Sequence, residues 1–306
     1  MCESHAVYHE LFAALRPRVS FQTLREILLA AHGQKVARLC LSEMEIPWMV
    51  AELEKNGLRV GLHPRKLILS PDQGKGGWVS GYGTEVSLES PLPGYIQLYT
   101  GRDPNRVLEA QKAEHACRFG AFGRLLAYPP CCIAFYEASL PVAEQEQGDF
   151  LLTLLDASLK GRSEQLPVFP AWTNVGAQYF GYGLISFYPC SFFCAEAATA
   201  AREAWRLLRM YDRELADQAL AAARLPLLYT EYEGVYAFHE AELEGNTLVY
   251  DNSSIECSLR GILADVLSAG DRILIHSARS VEVFCRDTLL ARLNSRKLGM
   301  MLFDRG

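Results

Sequence analysis

The chain has 306 residues, 50% of them hydrophobic and 22% charged, a composition typical of a globular protein with a substantial core. Its net charge of −6 and pI near 5.7 argue against a basic surface for nucleic acid, and no apolar run approaches the ~18 residues of a membrane span. The first residues, Met1-Cys-Glu-Ser-His-Ala, lack the basic and apolar regions of a secretory signal, so we expect a cytoplasmic protein.

Residues 1–102 show a mixed pattern of helix and strand. Ser4 and Ser20 are typical N-caps of helices that would run to Arg16 and Ala31. A further helix is expected near 45–55. Apolar runs predict strands at 35–41, 58–62, 66–69 and 95–100. The Gly-rich stretch at 71–83, which contains Lys75, does not match a phosphate-binding loop and is expected to be a surface loop or hairpin.

The pattern is mostly helical from residue 103 to about 224 and rich in strand-like runs over 225–306. Asp103 followed by Pro104 is a typical helix start. Later strands are expected at 234–238, 247–250, 272–276 and 281–285, with a helix near 257–268. The predicted class is therefore α/β or α+β mixed, with an N-terminal α/β part, a central helical cysteine-rich segment and a C-terminal β-rich part. Whether the first and last parts form one compact unit is left open.

Nine cysteines are informative because a reducing compartment disfavours structural disulfides and favours metal ligation or redox chemistry. The context of four is typical of idle or buried thiols: Cys2, Cys40, Cys257 and Cys285. Cys117, on a predicted helix, fits either interpretation. The other four occur in two similar stretches, AYPPCCIAFY at 127–136 and YPCSFFC at 188–194.

Both stretches place proline just ahead of cysteine, where a helix is expected to begin. Pro129-Pro130 cannot continue a helix but suits the first position of a new one, and Pro189 precedes a strongly helical run. Unpaired N–H groups and the positive end of the helix dipole would favour thiolates there. The two cysteine pairs are therefore candidate ligands.

The spacing within each pair leaves several sites possible. Cys190 and Cys194 would share one helical face, whereas Cys131 and Cys132 would diverge by roughly 100° and fit poorly around one ion. An iron–sulfur cluster held by Cys190, Cys194 and one or both of the adjacent pair is therefore favoured. Zinc held by four thiolates, a metal-free thiol–disulfide site at the adjacent pair, and four partnerless buried thiols stay open.

The two motifs resemble those of a prokaryotic family without an assigned activity, whose members carry Tyr-Pro-x-Cys-Cys and later Pro-Cys-Ser-x-x-Cys. Here they are residues 128–132 and 189–194, and the resemblance covers roughly residues 94–205. It implies a shared site but no reaction, and members often have His at the position of Tyr188. The chain is also loosely similar to the cysteine-rich domain of heterodisulfide reductases, in which adjacent cysteines and a later pair hold an iron–sulfur cluster. Ile133 stands here in place of that domain's glycine.

The segment at 168–183, between the motifs, is rich in aromatic residues and glycine. Four aromatic side chains are candidates either to line an apolar cleft or to fill the core: Trp172, Tyr179, Phe180 and Tyr182. Asn174 and Gln178 would supply directional hydrogen bonds in such a cleft.

These observations predict a thiolate-ligated metalloprotein. We expect an iron–sulfur enzyme that acts on a small molecule by redox chemistry or at an open metal position, with Cys132 and Asn174 as candidate catalytic residues. An electron-transfer protein is a candidate partner, whereas nucleic acid and membrane are not expected. The alternatives are a zinc-stapled interaction module without catalysis and a metal-free oxidoreductase that uses the vicinal cysteines.

Overall fold

The computed structural model describes residues 3–71, 78–145, 149–162 and 167–305. Its α-helices are α1 Glu3–Leu15, α2 Phe21–Ala31, α3 Ile46–Lys55, α4 Pro104–His115, α5 Phe119–Leu125, α6 Pro130–Gln145, α7 Leu151–Leu159, α8 Ala195–Tyr211, α9 Arg213–Ala223 and α10 Ile262–Ala269. Its strands are β1 Ala37–Ser42, β2 Arg59–Pro71, β3 Trp78–Ser87, β4 Tyr95–Gly101, β5 Val168–Phe169, β6 Leu227–Thr230, β7 Val235–Phe238, β8 Ala241–Glu244, β9 Thr247–Tyr250, β10 Ile255–Cys257, β11 Arg272–Ser277, β12 Ser280–Cys285, β13 Thr288–Asn294 and β14 Leu298–Phe303. The predicted mixture of helix and strand is confirmed.

The N-terminal part is built on an antiparallel sheet of order β1-β4-β2-β3. Ser20 caps α2 as predicted, because its Oγ accepts a hydrogen bond from the Thr23 N–H at 3.2 Å. The two strands expected at 58–62 and 66–69 are one strand, β2, whose pairing with β4 shifts register between Leu62 and Lys66. Pro64 lies in that interval and has no N–H for the ladder, so the pairing is interrupted while the strand continues.

The Gly-rich stretch joins two paired strands. β2 and β3 pair antiparallel from Arg65 opposite Ser87 to Pro71 opposite Trp78, which confirms the expected hairpin. Residues 72–77, including Lys75, lie outside the described residues.

The central part leads from the sheet into the first cysteine motif. Asp103 caps α4 as predicted, with its Oδ1 accepting from the Asn105 N–H at 2.9 Å. α4 packs on β2 and β4, and α5 packs between α4 and α6. The first cysteine pair is thereby anchored to the N-terminal sheet through α4 and α5.

The C-terminal part contains two five-stranded sheets, of orders β10-β7-β6-β14-β5 and β13-β12-β11-β9-β8. β14 pairs antiparallel with β6 and parallel with β5, so the end of the chain packs beside the central segment. The helix expected near 257–268 begins only at Ile262, because residues 255–257 pair with β7 as β10.

One hydrophobic core contains residues from all three parts of the chain. Leu11, Leu154, Leu227 and Phe303 all belong to it. The boundaries proposed at residues 102 and 224 stay predictions. Within the described ranges, no helix combines the length and the apolar character needed to cross a membrane.

Candidate metal centre

The structure brings together the four cysteines that the sequence singles out. The Sγ atoms of Cys131, Cys132, Cys190 and Cys194 all lie within 4.8 Å of one another. Cys131 Sγ is 3.8 Å from Cys132 Sγ, and Cys194 Sγ is 3.7 Å from each of these two atoms. All four are free thiols. The arrangement is compatible with a thiolate metal site.

The first pair begins α6, as the two prolines predict. The carbonyl oxygen of Pro129 accepts hydrogen bonds from the N–H groups of Cys132 at 2.9 Å and Ile133 at 3.0 Å. Cys132 is buried and Cys131 is exposed. The prediction that these two side chains fit poorly around one ion is wrong, because both sulfurs lie at the same distance from the Cys194 sulfur.

The second pair does not lie on one helical face, and that prediction is wrong. α8 begins at Ala195, so Cys190 precedes the helix in an irregular turn and Cys194 is the N-cap residue. The Cys194 N–H donates to the Ser191 carbonyl at 2.9 Å, and the Cys194 Sγ accepts from the Ala197 N–H at 3.5 Å. Cys194 therefore satisfies a free N–H of the helix with its sulfur.

Hydrogen bonds from distant elements hold this turn open. The fully buried Phe192 donates its N–H to the Ser158 Oγ at 2.8 Å and accepts at its carbonyl from the Thr173 Oγ1 at 2.5 Å. These bonds occupy the backbone groups that a helix through Cys190 would use. The turn carries Cys190 towards the start of α6.

The shifts in pKa within the cluster differ in direction between the cysteines. Burial raises the pKa of Cys132 above its ordinary value and raises that of Cys190 to about 12. Burial also acts to raise the pKa of Cys194, but hydrogen bonds from the Ala197 N–H and from the other three thiols outweigh it and lower that pKa. A bound cation would favour deprotonation of the remaining thiols, as metal ligation requires.

A cavity of ≈ 240 Å³ lies against the centre, with Cys132 in its wall. Six aromatic side chains also line it: Phe119, Phe122, Tyr128, Tyr136, Phe187 and Tyr188. An ion pair between Arg38 and Glu114 at 2.8 Å lies in the same wall. The Tyr99 hydroxyl donates to Glu114 Oε2 at 2.6 Å. A polar pair is thus fixed in an otherwise largely aromatic lining.

The aromatic segment at 168–183 does not line this cavity. Trp172 lies edge-on to Trp205 at a centroid distance of 5.7 Å, and the Tyr179 hydroxyl donates to the buried Asp149 carboxylate. Phe180 and Tyr182 pack against the main core. Core packing, the alternative left open by the sequence, is the arrangement observed, and Tyr182 in addition lines a second cavity of ≈ 530 Å³ away from the cysteines.

Asn174 is buried, at 2% exposure, beside that core. Its Nδ2 donates to the Ala223 carbonyl at 2.9 Å, and its Oδ1 is buried without a partner among the described residues. It is not among the residues that line the cavity at Cys132. A catalytic role for Asn174 stays a prediction.

Sequence reasoning missed the charged residues near the motifs. Lys35 Nζ lies 2.6 Å from Glu26 Oε2, and Arg25 Nη2 lies 3.0 Å from Glu26 Oε1. Lys35 also donates to the Ser186 Oγ at 3.3 Å and lies 5.2 Å from the centre of the Tyr128 ring. Burial lowers the pKa of Lys35, against the opposing effect of Glu26. The only signal for these residues in the sequence is a pattern of charged residues along a helix. That pattern does not show whether the charged side chains are buried or exposed.

The remaining cysteines lie outside the cluster. Cys40 and Cys117 are exposed, and Cys257 and Cys285 are half-buried. Of the two alternatives given for Cys40, an idle or a buried thiol, burial is not observed, because Cys40 lies on the outward face of β1, where exposure alternates along the strand. Cys2 lies outside the described residues.

The chain matches no protein-family model, no curated protein and no solved structure. The resemblance of its two motifs to a prokaryotic family therefore stays a prediction.

Proposed function

We propose that this chain is a metalloprotein that binds one ion through Cys131, Cys132, Cys190 and Cys194, and that a small molecule binds in the adjoining cavity. The observation that carries the proposal is the convergence of four sulfurs from two distant motifs within 4.8 Å. Ligation of one ion by four cysteines requires this convergence, because all four sulfurs must reach a common centre.

The sulfur separations favour a single ion over a four-iron cluster. Four sulfurs at about 2.3 Å from one tetrahedral ion lie about 3.8 Å apart. The three Sγ–Sγ distances among Cys131, Cys132 and Cys194 are 3.7, 3.7 and 3.8 Å. The cysteine sulfurs of a four-iron cluster lie farther apart than this, because each binds a different iron. A closed set of four thiolates is typical of structural zinc, which is the ion we propose first.

Zinc in this position would join α6 to the turn before α8. Both pieces also form the cavity wall, since Cys132 and Ile133 come from α6 and Ser186, Phe187 and Tyr188 precede the turn. The ion would therefore shape the cavity as well as hold the two motifs together.

Iron in the same site is the second candidate, and a single iron held by the four thiolates would give the protein a redox centre. The exposure of Cys131 favours it, because one ligand would reach the surface where an electron-transfer protein could approach. Cys132 lies in the wall of the cavity that would hold the substrate. Tetrahedral thiolate sites accept both metals.

Metal analysis of anaerobically purified protein tests the proposal. We expect about one metal ion per chain. A colourless protein that contains zinc supports the structural zinc site, and a coloured protein that contains iron supports the iron site. Protein without metal, in which Cys131 and Cys132 interconvert between thiols and a disulfide, would refute the metal site and support the metal-free oxidoreductase.

Single substitutions locate the site. Cys194→Ser should abolish metal binding, whereas Cys285→Ser, at a half-buried thiol outside the cluster, should leave it unchanged. Equal metal content in both variants would contradict the assignment of the ligands.

A further inference from the structure

The cavity at Cys132 has the chemical features of a selective small-molecule site. Its volume of ≈ 240 Å³ lies below the range of about 300–1,000 Å³ of drug-sized sites, which suits a molecule of one or two rings. Tyr128 and Phe187 approach each other in its wall at a centroid distance of 4.8 Å, and Phe119 and Tyr136 at 5.9 Å. Walls made of flat rings favour a flat ligand, because stacked and edge-on contacts are available on several sides.

The ion pair of Arg38 and Glu114 in the cavity wall can donate further hydrogen bonds. Glu114 accepts from Arg38 Nε at 2.9 and 3.3 Å, from Arg38 Nη2 at 2.8 Å and from the Tyr99 hydroxyl at 2.6 Å. A carboxylate has about four lone-pair positions, so these contacts nearly saturate it. Arg38 contacts Glu114 through its Nε and Nη2 atoms. Among the described residues, none accepts a hydrogen bond from its Nη1 atom. A ligand that engages this pair would therefore supply an acceptor.

The charge around the cavity disfavours an anion. Arg38 and Glu114 cancel each other in one part of the wall, and behind Tyr128 and Ser186 the cluster of Lys35, Arg25 and Glu26 contributes one positive charge. On the proposed function, four thiolates around a divalent ion would add a net charge of about −2 beside Cys132. A carboxylate ligand would face that charge in a partly desolvated space, whereas an amide, ketone or ring nitrogen would not.

We propose that this cavity binds an uncharged aromatic molecule of one or two rings that carries a hydrogen-bond acceptor, and that Arg38 donates to this acceptor. The inference rests on the proposed function for the charge of the centre. The aromatic walls and the Arg38–Glu114 pair are independent of the metal.

Calorimetric titration of the metal-loaded protein with three probes tests the inference. 2-Naphthamide has the flat rings and the neutral acceptor, 2-naphthoate exchanges the amide for a charge, and cyclohexanecarboxamide keeps the amide without an aromatic ring. We expect 2-naphthamide to bind one molecule per chain, at least about tenfold more tightly than either of the other two. Equal or tighter binding of 2-naphthoate or cyclohexanecarboxamide would overturn the inference.

Variants test the role of Arg38. Arg38→Lys keeps the charge beside Glu114 but loses the Nη1 donors, and should weaken 2-naphthamide binding about tenfold. Arg59→Lys, at an exposed position on β2, should leave binding unchanged. Phe119→Leu removes one wall ring without touching the ion pair and should also weaken binding. Unchanged affinity in both Arg38→Lys and Phe119→Leu would refute the site.

Metal content measured on the same samples separates the two proposals. A protein that contains metal and binds none of the probes refutes this inference and leaves the proposed function intact. A protein that contains no metal but prefers 2-naphthamide refutes the metal centre and supports the cavity assignment.

Discussion

Glu26→Gln tests the buried charge cluster that contacts Tyr128, in the first cysteine motif, and Ser186, two residues before the second motif. Glu26 is 6% exposed, and its two cationic partners, Arg25 and Lys35, are 2% and 7% exposed. The substitution keeps the shape of the side chain but leaves both cations in the core without an anion. Because Lys35 contacts Ser186 and Tyr128, its displacement would also disturb the region of the cysteine motifs.

The structure sets the size of the effect. At the 2.6 Å that separates Lys35 Nζ from Glu26 Oε2, the Coulomb attraction is about 6 kcal/mol for an effective dielectric constant of about 20. Part of this attraction offsets the desolvation of the ions, and removing one partner of a buried pair typically costs about 3–5 kcal/mol. The Gln amide oxygen can still accept one hydrogen bond, so we expect the free energy of unfolding to fall by about 3 kcal/mol.

Urea denaturation followed by tryptophan fluorescence measures this loss. Glu52→Gln is the matched control, because it breaks a surface pair with Lys55 at 3.6 Å and should cost under about 0.5 kcal/mol. A loss below about 1 kcal/mol for Glu26→Gln would refute the reasoning.

The same variant tests the dependence on pH. Burial acts to raise the pKa of Glu26, but Lys35 and Arg25 outweigh it and lower that pKa below its ordinary value of 4.5. The unfolded chain therefore takes up the proton first as the pH falls, and the stability that the carboxylate contributes is lost on further acidification. The difference in the free energy of unfolding between wild type and Glu26→Gln should become smaller below pH 4.5. A difference that widens in acid would contradict this sign.

Three further substitutions test the site and its supports. Cys190→Ser should lower metal affinity at least about tenfold, whereas Cys117→Ser, at an exposed thiol outside the cluster, should not change it; competition with a chelator measures both. Gly123→Ala places a Cβ 2.9 Å from Ile133 Cγ1 between α5 and α6. The overpacking should lower the free energy of unfolding, measured in urea, by about 1–3 kcal/mol. An unchanged midpoint of the urea transition would contradict that contact. Thr173→Val removes the hydroxyl that holds the turn before α8, so it should lower the free energy of unfolding by about 1–3 kcal/mol and weaken metal binding. Unchanged metal affinity would show that the turn does not need this hydrogen bond.

Elements with strong local signals were predictable from the sequence. The caps at Ser20 and Asp103 and the start of α6 at Pro130 were placed correctly. Each depends on one side chain and on backbone groups within a few residues, so the sequence pattern contains the whole interaction.

The second cysteine motif shows where local reasoning fails. The helical composition after Pro189 predicts a helix that includes Cys190, but the helix begins at Ala195. Ser158 and Thr173, 34 and 19 residues away from Phe192, hold the preceding turn. Helix propensity amounts to tenths of a kcal/mol per residue, and buried hydrogen bonds with the packing of a full aromatic ring outweigh it.

By itself, the sequence determined the mixed fold class and the four thiols that can act as ligands, because these follow from side-chain chemistry and short-range pattern. Only the tertiary structure decided that the sulfurs of Cys131, Cys132 and Cys194 lie 3.7 to 3.8 Å apart and that Cys132 lines an aromatic cavity beside Arg38 and Glu114. Those contacts join residues that are distant in the chain. They are fixed by the packing of a shared core, and no local pattern encodes that packing.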